Sequence, residues 1–219
     1  LQHIRQLVES GEFHMTQFIG HFFLNRRINT TAAGNPRSWT DNILWHHGAH
    51  LIDQAMWLGD CFDVRRLSCH LGPDYKEQGT MDMTFTMTMA NGAIATVAQS
   101  YFTPTWKWYA LIIGDEQTFR WDRGTLYDFD DNVIVPEHST WDLMRQDREF
   151  IDAVRQNRDP AITAEAIMPA AGQDVRGDAQ VLSPVHRAQT GQSPGQTDTR
   201  EAVGLGDRRP EDLLVLATY

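Results

Sequence analysis

The sequence is poor in cysteine and in lysine. Only two of its 219 residues are cysteines, Cys61 and Cys69, and they do not form a CxxC pair. This favours neither a disulfide framework nor a thiolate zinc site, and two reduced thiols in the cytoplasm are expected. Lysine is as scarce, with Lys76 and Lys107 alone. The net charge of -10 argues against nucleic acid or an anionic membrane as an electrostatic partner.

Long apolar runs are absent too. No segment of the sequence approaches the roughly 18 apolar residues of a membrane span. The N-terminus also lacks the charged and then apolar pattern of a signal peptide. We therefore expect a cytoplasmic protein that does not enter a membrane.

Aromatic residues are missing from the C-terminal part. Tyr219 is the only aromatic residue after position 170, where small and polar residues take over. Residues 172–210 follow neither the period of a strand nor that of a helix, which predicts an irregular or disordered tail over 171–219. The abrupt change suggests the hypothesis of an altered reading frame or a truncated gene.

The clearest strand signal lies at residues 81–89, where methionine or phenylalanine alternates with aspartate or threonine. This pattern predicts a strand with one buried and one polar face. Asn91-Gly92 is a strong hairpin turn, and residues 93–102 return as the next strand. Further short strands, separated by turn residues, predict an antiparallel meander over 64–71, 108–113, 117–121, 125–129 and 133–135.

Apolar residues at helical spacing predict helices at 1–10 and 140–156. Residues 12–24 alternate in part and predict a strand that is covered on both sides. In this strand Met15 is expected on one face, together with Gln17, and Phe18 on the other. The fold class that follows is α+β.

A third helix is predicted within the run RSWTDNILWHHGAHLID, residues 37–53. Thr40 or Asp41 can cap its first turn, and Gly59 offers a stop. On an ideal helix His46 and His50 share one face, where they could bind a substrate or a metal.

His47 points about 100° away from His46 on such a helix, so we expect it to be structural. The alternative is that all three histidines, His46, His47 and His50, only pack or form hydrogen bonds in the core.

The order of these elements, together with His46-x-x-x-His50-Leu51-Ile52-Asp53, resembles the C-terminal half of the Gfo/Idh/MocA oxidoreductases. In that family the helix carries an Asp-x-x-x-His pair, so His46 occupies the aspartate position here. Residues 37–47 are similar to an NADP-dependent member of the family from aromatic-acid breakdown. The resemblance covers roughly residues 1–170 and implies a mostly antiparallel sheet with helices on one face.

Two family elements are missing from the sequence: a strand followed by GxGxxG, and the Glu-Lys-Pro step with the catalytic lysine. The resemblance then implies three parts. Residues 1–11 are a remnant of the nucleotide-binding Rossmann domain, 12–170 are a substrate-binding and oligomerisation domain, and 171–219 are the tail. NADP or NAD would be bound mainly by the absent N-terminal domain, so the isolated chain is expected to be inactive.

The reaction that the resemblance implies is hydride transfer from a hydroxy or cyclic hemiacetal carboxylate to a nicotinamide. Histidine suits the accompanying proton transfer because its pKa of about 6.5 is close to working pH. His50 is the predicted acid or base, and His46 would orient the substrate or share the proton.

A carboxylate substrate needs donors that match its two oxygens. Arg37, beside Trp39 and just before the helix, is the first candidate, and Arg26 and Arg27 follow. Asp53 has the spacing to hold the ring of His50 or His46.

Metal binding by His46, His50 and Asp53 is an alternative, but the glutamate of HExxH is absent and no distant ligand is evident, so we expect no metal. A non-catalytic oligomerisation or structural module is the other alternative. In related dehydrogenases the open sheet face packs against a second subunit. We expect a homo-oligomer through this face, formed by the threonines and by Tyr101, Phe102, Trp106 and Trp108.

Overall fold

A computed structural model describes residues 1–28, 30–31, 33–35, 43–137, 141–161 and 163, without the side chains of residues 45 and 141–143. The predictions for Arg37, Trp39, Thr40, Asp41 and the tail lie outside the described residues.

The described part of the chain contains eight strands and three α-helices. The helices are α1 (Gln2–Ser10), α2 (Ala49–Leu58) and α3 (Trp141–Gln156), and a π-helical segment, Leu44–Gly48, leads directly into α2. The strands are β1 (Met15–Asn25), β2 (Val64–Leu71), β3 (Asp82–Met89), β4 (Ile94–Ser100), β5 (Phe102–Gly114), β6 (Thr118–Asp122), β7 (Thr125–Tyr127) and β8 (Val133–Val135).

All eight strands join one sheet in the order β2-β3-β4-β1-β5-β6-β7-β8. The predicted α+β fold with a mostly antiparallel sheet is confirmed, and so is the Asn91-Gly92 hairpin between β3 and β4. The alternation in the sequence did not indicate where β1 lies. It is inserted between β4 and β5, parallel to β4 and antiparallel to β5.

A bulge near the start of β1 changes which side chains share a face. The register with β5 shifts between Met15 and Gln17. The extra residue of the bulge shifts the alternation of the side chains by one position. Met15 is therefore buried on the same face as Phe18, and Gln17 lies on the opposite face. The prediction that Met15 shares a face with Gln17 is therefore wrong.

The core lies between this covered face of the sheet and α2. Met83, Phe85 and Met87 of β3 are almost fully buried there, as the alternation predicts. Gly20 allows the close approach of α2, because a Cβ atom at this position would lie 3.1 Å from Leu51 Cδ2. The opposite, open face carries the alternate residues of the strands, which are half-buried or exposed.

Polar contacts fix the ends of the helices. The guanidinium of Arg5 on α1 donates to the carbonyl of Trp57 at 2.8 Å and to the carboxylate of Asp60 at 2.7 Å. The side-chain amide of Asn91, in the β3–β4 turn, donates to the carbonyl of Gly59 at 2.8 Å. The C-terminal end of α2 is thus held by both α1 and the sheet.

The predicted helix near residue 150 is confirmed as α3. Ala153 is buried, whereas Phe150, Ile151 and Val154 remain exposed. None of the helices in the described ranges is long and apolar enough to cross a membrane.

Candidate functional site

Four side chains form a row across the covered face of the sheet, beneath the histidine segment. Met83 on β3 pairs with Gln99 on β4, Gln99 with Phe22 on β1, and Phe22 with Trp108 on β5. We call these four residues the floor row. Trp108 lies edge-on to Phe22, with ring centroids 5.2 Å apart.

The π-helical segment lies above the floor row. A Cβ atom at Gly48 would lie 3.5 Å from the end of Met83. The ring of His47 stacks on Phe22 at 4.4 Å, and the ring of His50 lies 6.3 Å from that of Trp108. The sheet and the segment together therefore set the positions of the histidines.

The π-helical turn changes the directions that an ideal α-helix predicts. The N–H of Ala49 bonds to the carbonyl of Leu44, five residues earlier, so this turn is wider than an α-helical one. The rings of His46 and His47 stack on each other at 3.9 Å. The predicted separation of about 100° applies to an ideal α-helix, whereas here the turn is wider and the two rings are in contact.

His47 is packed and bonded on several sides. Its Nδ1 lies 2.7 Å from the hydroxyl oxygen of Tyr101, which is hydrogen-bond distance. Tyr101 is only 1% exposed. The expectation that Tyr101 and Trp108 form part of the open-face interface is wrong, since the first is buried against His47 and the second belongs to the floor row. Trp106 is exposed, but its ring lies 6.5 Å from that of Trp108, so it is on the same side of β5 as Trp108 and not on the open face.

His50 is half-buried, and its centroid lies 6.5 Å from that of His47. Burial lowers the pKa of His50, and the charge of nearby His46 lowers it further. Both causes favour the neutral imidazole, which can accept a proton at neutral pH.

Asp53 is half-buried on α2, and burial raises the pKa of its carboxyl. Burial is the one cause of this shift, and no hydrogen bond joins Asp53 to His46 or His50. The expectation that Asp53 holds a histidine ring is therefore wrong. Asp53 and His50 are instead two titratable groups one helical turn apart. Burial raises the pKa of the carboxyl and lowers that of the imidazole, so the two pKa values lie closer together than in water.

Arg26 and Arg27 follow the end of β1 and take different positions. The backbone N–H of Arg26 donates to the carbonyl of Tyr101 at 3.0 Å, which places this half-buried arginine beside the tyrosine. Arg27 is exposed, and its guanidinium donates to the carbonyl of Phe102 at 2.9 Å. Of the two, Arg26 is the one whose backbone is bonded to Tyr101, the residue that contacts His47.

Phe22, Gln99, Tyr101 and Trp108 are residues that the sequence alone did not assign to the site. Gln99 was within reach of the sequence, because it continues the alternation of Ala95 and Val97 on the buried face of β4. Both of its amide atoms, and Nε1 of Trp108, are buried and have no hydrogen-bond partner among the described residues. A polar side chain at a buried strand position is unusual enough to mark a site.

The described residues contain no group of three or more histidine, cysteine, aspartate or glutamate side chains that could hold a metal ion. His46, His50 and Asp53 therefore do not converge as ligands.

Residues 1–137 match the family model for the C-terminal domain of bacterial oxidoreductases, and the chain belongs to this family. The resemblance to the Gfo/Idh/MocA oxidoreductases is thus confirmed. A curated relative, 4-carboxy-2-hydroxymuconate-6-semialdehyde dehydrogenase from Sphingobium, is 30% identical over 172 residues. This match covers 73% of the chain and 51% of the relative.

Solved structures show the same fold. The UDP-N-acetylglucosamine 3-dehydrogenase of Acidithiobacillus ferrooxidans aligns with a TM-score of 0.66 at 15% identity, over 81% of this chain and 57% of that one. The WlbA dehydrogenase of Bordetella pertussis, solved with NADH and UDP-GlcNAcA, aligns with a TM-score of 0.62 at 15% identity over the same shares. The chain spans about half the length of the relatives it matches.

Proposed function

We propose that this chain is the substrate-binding domain of an NAD(P)-dependent dehydrogenase that oxidises a hydroxy or cyclic hemiacetal carboxylate. The observation that carries the proposal is the cluster of His46, His47 and His50 above the floor row, in a chain of the oxidoreductase family. The name of the Sphingobium relative, a muconate semialdehyde dehydrogenase, supports a carboxylate-bearing substrate.

His50 is the proposed base. When a hydride leaves the carbinol carbon for the nicotinamide, the hydroxyl on that carbon must lose its proton. The lowered pKa of His50 keeps its imidazole neutral and able to take this proton. His46 is close enough to influence the charge of His50, which suits it to share the proton or to orient the hydroxyl.

The substrate would be held by groups around the histidines. Nε1 of Trp108 is a buried donor near His50 without a partner among the described residues, so we assign it to a substrate oxygen. Arg26, whose backbone N–H bonds to Tyr101, is one candidate for the carboxylate. Arg37 and Trp39 remain candidates for the same carboxylate.

The nicotinamide cofactor, NADP or NAD, accepts the hydride. The sequence contains no GxGxxG phosphate loop, so we assign the binding of this cofactor mainly to a nucleotide-binding domain outside the 219 residues. The chain by itself is then expected to bind substrate without converting it.

A second copy of the chain is the proposed partner of the open face. Ile19 on β1 and Leu111 on β5 pair there, and His21 is stacked between Phe23 at 5.4 Å and Tyr109 at 5.8 Å. These half-buried apolar and aromatic groups are suited to a self-complementary interface.

The test is calorimetric titration of the purified chain with the cyclic dicarboxylate 2-pyrone-4,6-dicarboxylate, and then with NADP. Binding of the dicarboxylate that is lost in His50→Ala and weakened in Arg37→Ala would support the proposal. His70→Ala is the matched control, because His70 is exposed on β2, an edge strand of the sheet. Tight binding of NADP would contradict the assignment of the cofactor, and no binding of the dicarboxylate would contradict the substrate class.

A further inference from the structure

The hydroxyl of Tyr101 is held by the sheet. Tyr101 lies just beyond β4, where its N–H donates to the carbonyl of Met81 at 2.8 Å and its carbonyl accepts from the N–H of Arg26 at 3.0 Å. With its side chain 1% exposed, the ring has little freedom to move. The position of the hydroxyl is therefore set by β3, β4 and the end of β1.

Stacking restricts the ring of His47 but leaves one rotation open. Phe22 stacks on it at 4.4 Å and His46 at 3.9 Å, and two rings at such distances must occupy opposite faces of the imidazole. Stacking on both faces prevents the imidazole from tilting. It does not distinguish the two ring orientations that differ by a half-turn about the Cβ–Cγ bond, whereas the hydrogen bond of Tyr101 at Nδ1 favours one of them.

We propose that Tyr101 is a positioning residue of the histidine cluster: its hydroxyl donates to Nδ1 of His47, fixes that ring, and so sets the position of the His46 ring that stacks on it. A phenol hydroxyl is a hydrogen-bond donor at neutral pH, and the unprotonated nitrogen of a neutral imidazole is its acceptor. The proton of His47 then resides on Nε2. This inference rests on the proposed function, because it assigns Tyr101 to the site of the proposed dehydrogenase.

The position of His46 matters to His50. His46 stacks on His47 at 3.9 Å, and His47 lies 6.5 Å from His50, so the three rings form one cluster in which the charge of His46 lowers the pKa of His50. Tyr101 meets the ring of His47 through the hydrogen bond at Nδ1 and an edge contact with centroids 5.6 Å apart, and it acts through this ring.

The test compares Tyr101→Phe with Tyr109→Phe. Tyr109 is a tyrosine on the open face, stacked on His21 and away from the cluster. Histidine ¹⁵N resonances of the ligand-free chain are recorded first. In Tyr101→Phe the Nδ1 resonance of His47 should shift, and so should the ring resonances of His46 and His50, whereas Tyr109→Phe should change none of the three.

Binding of 2-pyrone-4,6-dicarboxylate gives the second readout. Loss of one hydrogen bond, of about 1 kcal/mol, should weaken binding about fivefold in Tyr101→Phe, with no change in Tyr109→Phe. Unchanged resonances of His46 and His50 with unchanged affinity would overturn the proposal, even if Tyr101→Phe melts at a lower temperature. Such a result would mean that the hydroxyl only stabilises the fold.

His47→Asn covers the case in which Tyr101→Phe does not fold. The asparagine amide can still accept from Tyr101 near the position of Nδ1, but it cannot support the ring of His46. Weakened dicarboxylate binding by folded His47→Asn is expected, and wild-type affinity would overturn the proposal. If the wild-type chain does not bind the dicarboxylate, the proposed function fails, while the ¹⁵N shifts in the ligand-free chain still test the positioning role.

Discussion

His50 and Asp53 lie one turn apart on α2, and burial shifts their pKa values in opposite directions. It lowers the pKa of the imidazole and raises that of the carboxyl. In both cases burial disfavours the charged form, because a charge loses hydration when it leaves water. The free energy of unfolding therefore depends on pH. Burial of His50 lowers it as the pH falls, and burial of Asp53 lowers it as the pH rises.

Asp53→Asn should raise the free energy of unfolding at pH 7 by about 1 kcal/mol. The pKa of the Asp53 carboxyl is raised in the folded protein. The fold therefore loses stability as the pH rises above 3.8, the pKa of this carboxyl in the unfolded chain. The gain from Asp53→Asn should shrink as the pH falls towards 3.8 and should be nearly absent at about pH 3. Urea unfolding at both pH values measures this, with Asp63→Asn as a control at an exposed position. An equal gain at the two pH values would contradict burial of the charge as the cause.

His50→Gln should make the protein less sensitive to mild acid. The pKa of folded His50 lies below the unfolded value of 6.5, so the unfolded chain takes up the proton first. Stability is lost as the pH falls through 6.5 towards the folded pKa. Between pH 7 and about pH 5, wild type should lose more stability than His50→Gln by roughly 1 kcal/mol. The exposed His70→Gln should lose as much as wild type, and a His50→Gln variant that did the same would contradict the prediction.

Gln99→Met should stabilise the ligand-free chain. Gln99 is 2% exposed and neither of its amide atoms has a partner among the described residues. A buried polar group without a hydrogen bond costs about 1–3 kcal/mol, and methionine has a similar shape without this cost. Chemical denaturation should show a gain of about 1 kcal/mol. Gln17→Met, on the open face, should change little. Destabilisation by Gln99→Met would mean that the amide is satisfied in solution.

Gly20→Ala should destabilise the fold by about 1–3 kcal/mol. The added Cβ would lie 2.6 Å from Phe18 Cε1 and 3.1 Å from Leu51 Cδ2, and both side chains are fully buried. Gly48→Ala is the matched control. Its Cβ would meet Leu44 at 3.1 Å, and alanine favours a helix by nearly 1 kcal/mol, so the net change should be small. Equal losses in the two variants would contradict the close approach of α2 at Gly20.

Ile19→Lys should convert the proposed homo-oligomer into single chains. A lysine beside Leu111 would place a charge at the centre of the open face, where a second copy is proposed to pack. Light scattering coupled to size-exclusion chromatography gives the mass in solution. Phe129→Lys, at a position that is 81% exposed and outside that face, should leave the mass of wild type unchanged. A single-chain mass for wild type would refute the proposal.

The strands of the meander could be predicted because each carries its own signal. Residues 81–89 alternate strictly, and the Asn91-Gly92 turn follows at once. The central position of β1 could not be predicted in this way. Its partners are determined by which distant strands fit beside Phe18 and Phe22, and local periodicity holds no information on that choice.

The candidate site was predictable in part for the same reason. The three histidines are close in the sequence, so His46, His47 and His50 could be named together. The rotation of their rings depends on a π-helical turn that the sequence does not reveal. Tyr101 and Trp108 come from other strands, and only the folded sheet brings them to the histidines.

The place of β1 in the sheet also has a consequence for the order of folding. β1 leaves the ribosome before either of its neighbours, and β4 and β5 follow only after α2 and two further strands. Both of its ladders therefore close long loops, which makes their pairing slow. Phe22 is then among the last residues to gain its neighbours, Gln99 and Trp108. Binding at the histidine cluster should accordingly appear only in the final stage of refolding, after the β3–β4 hairpin has formed.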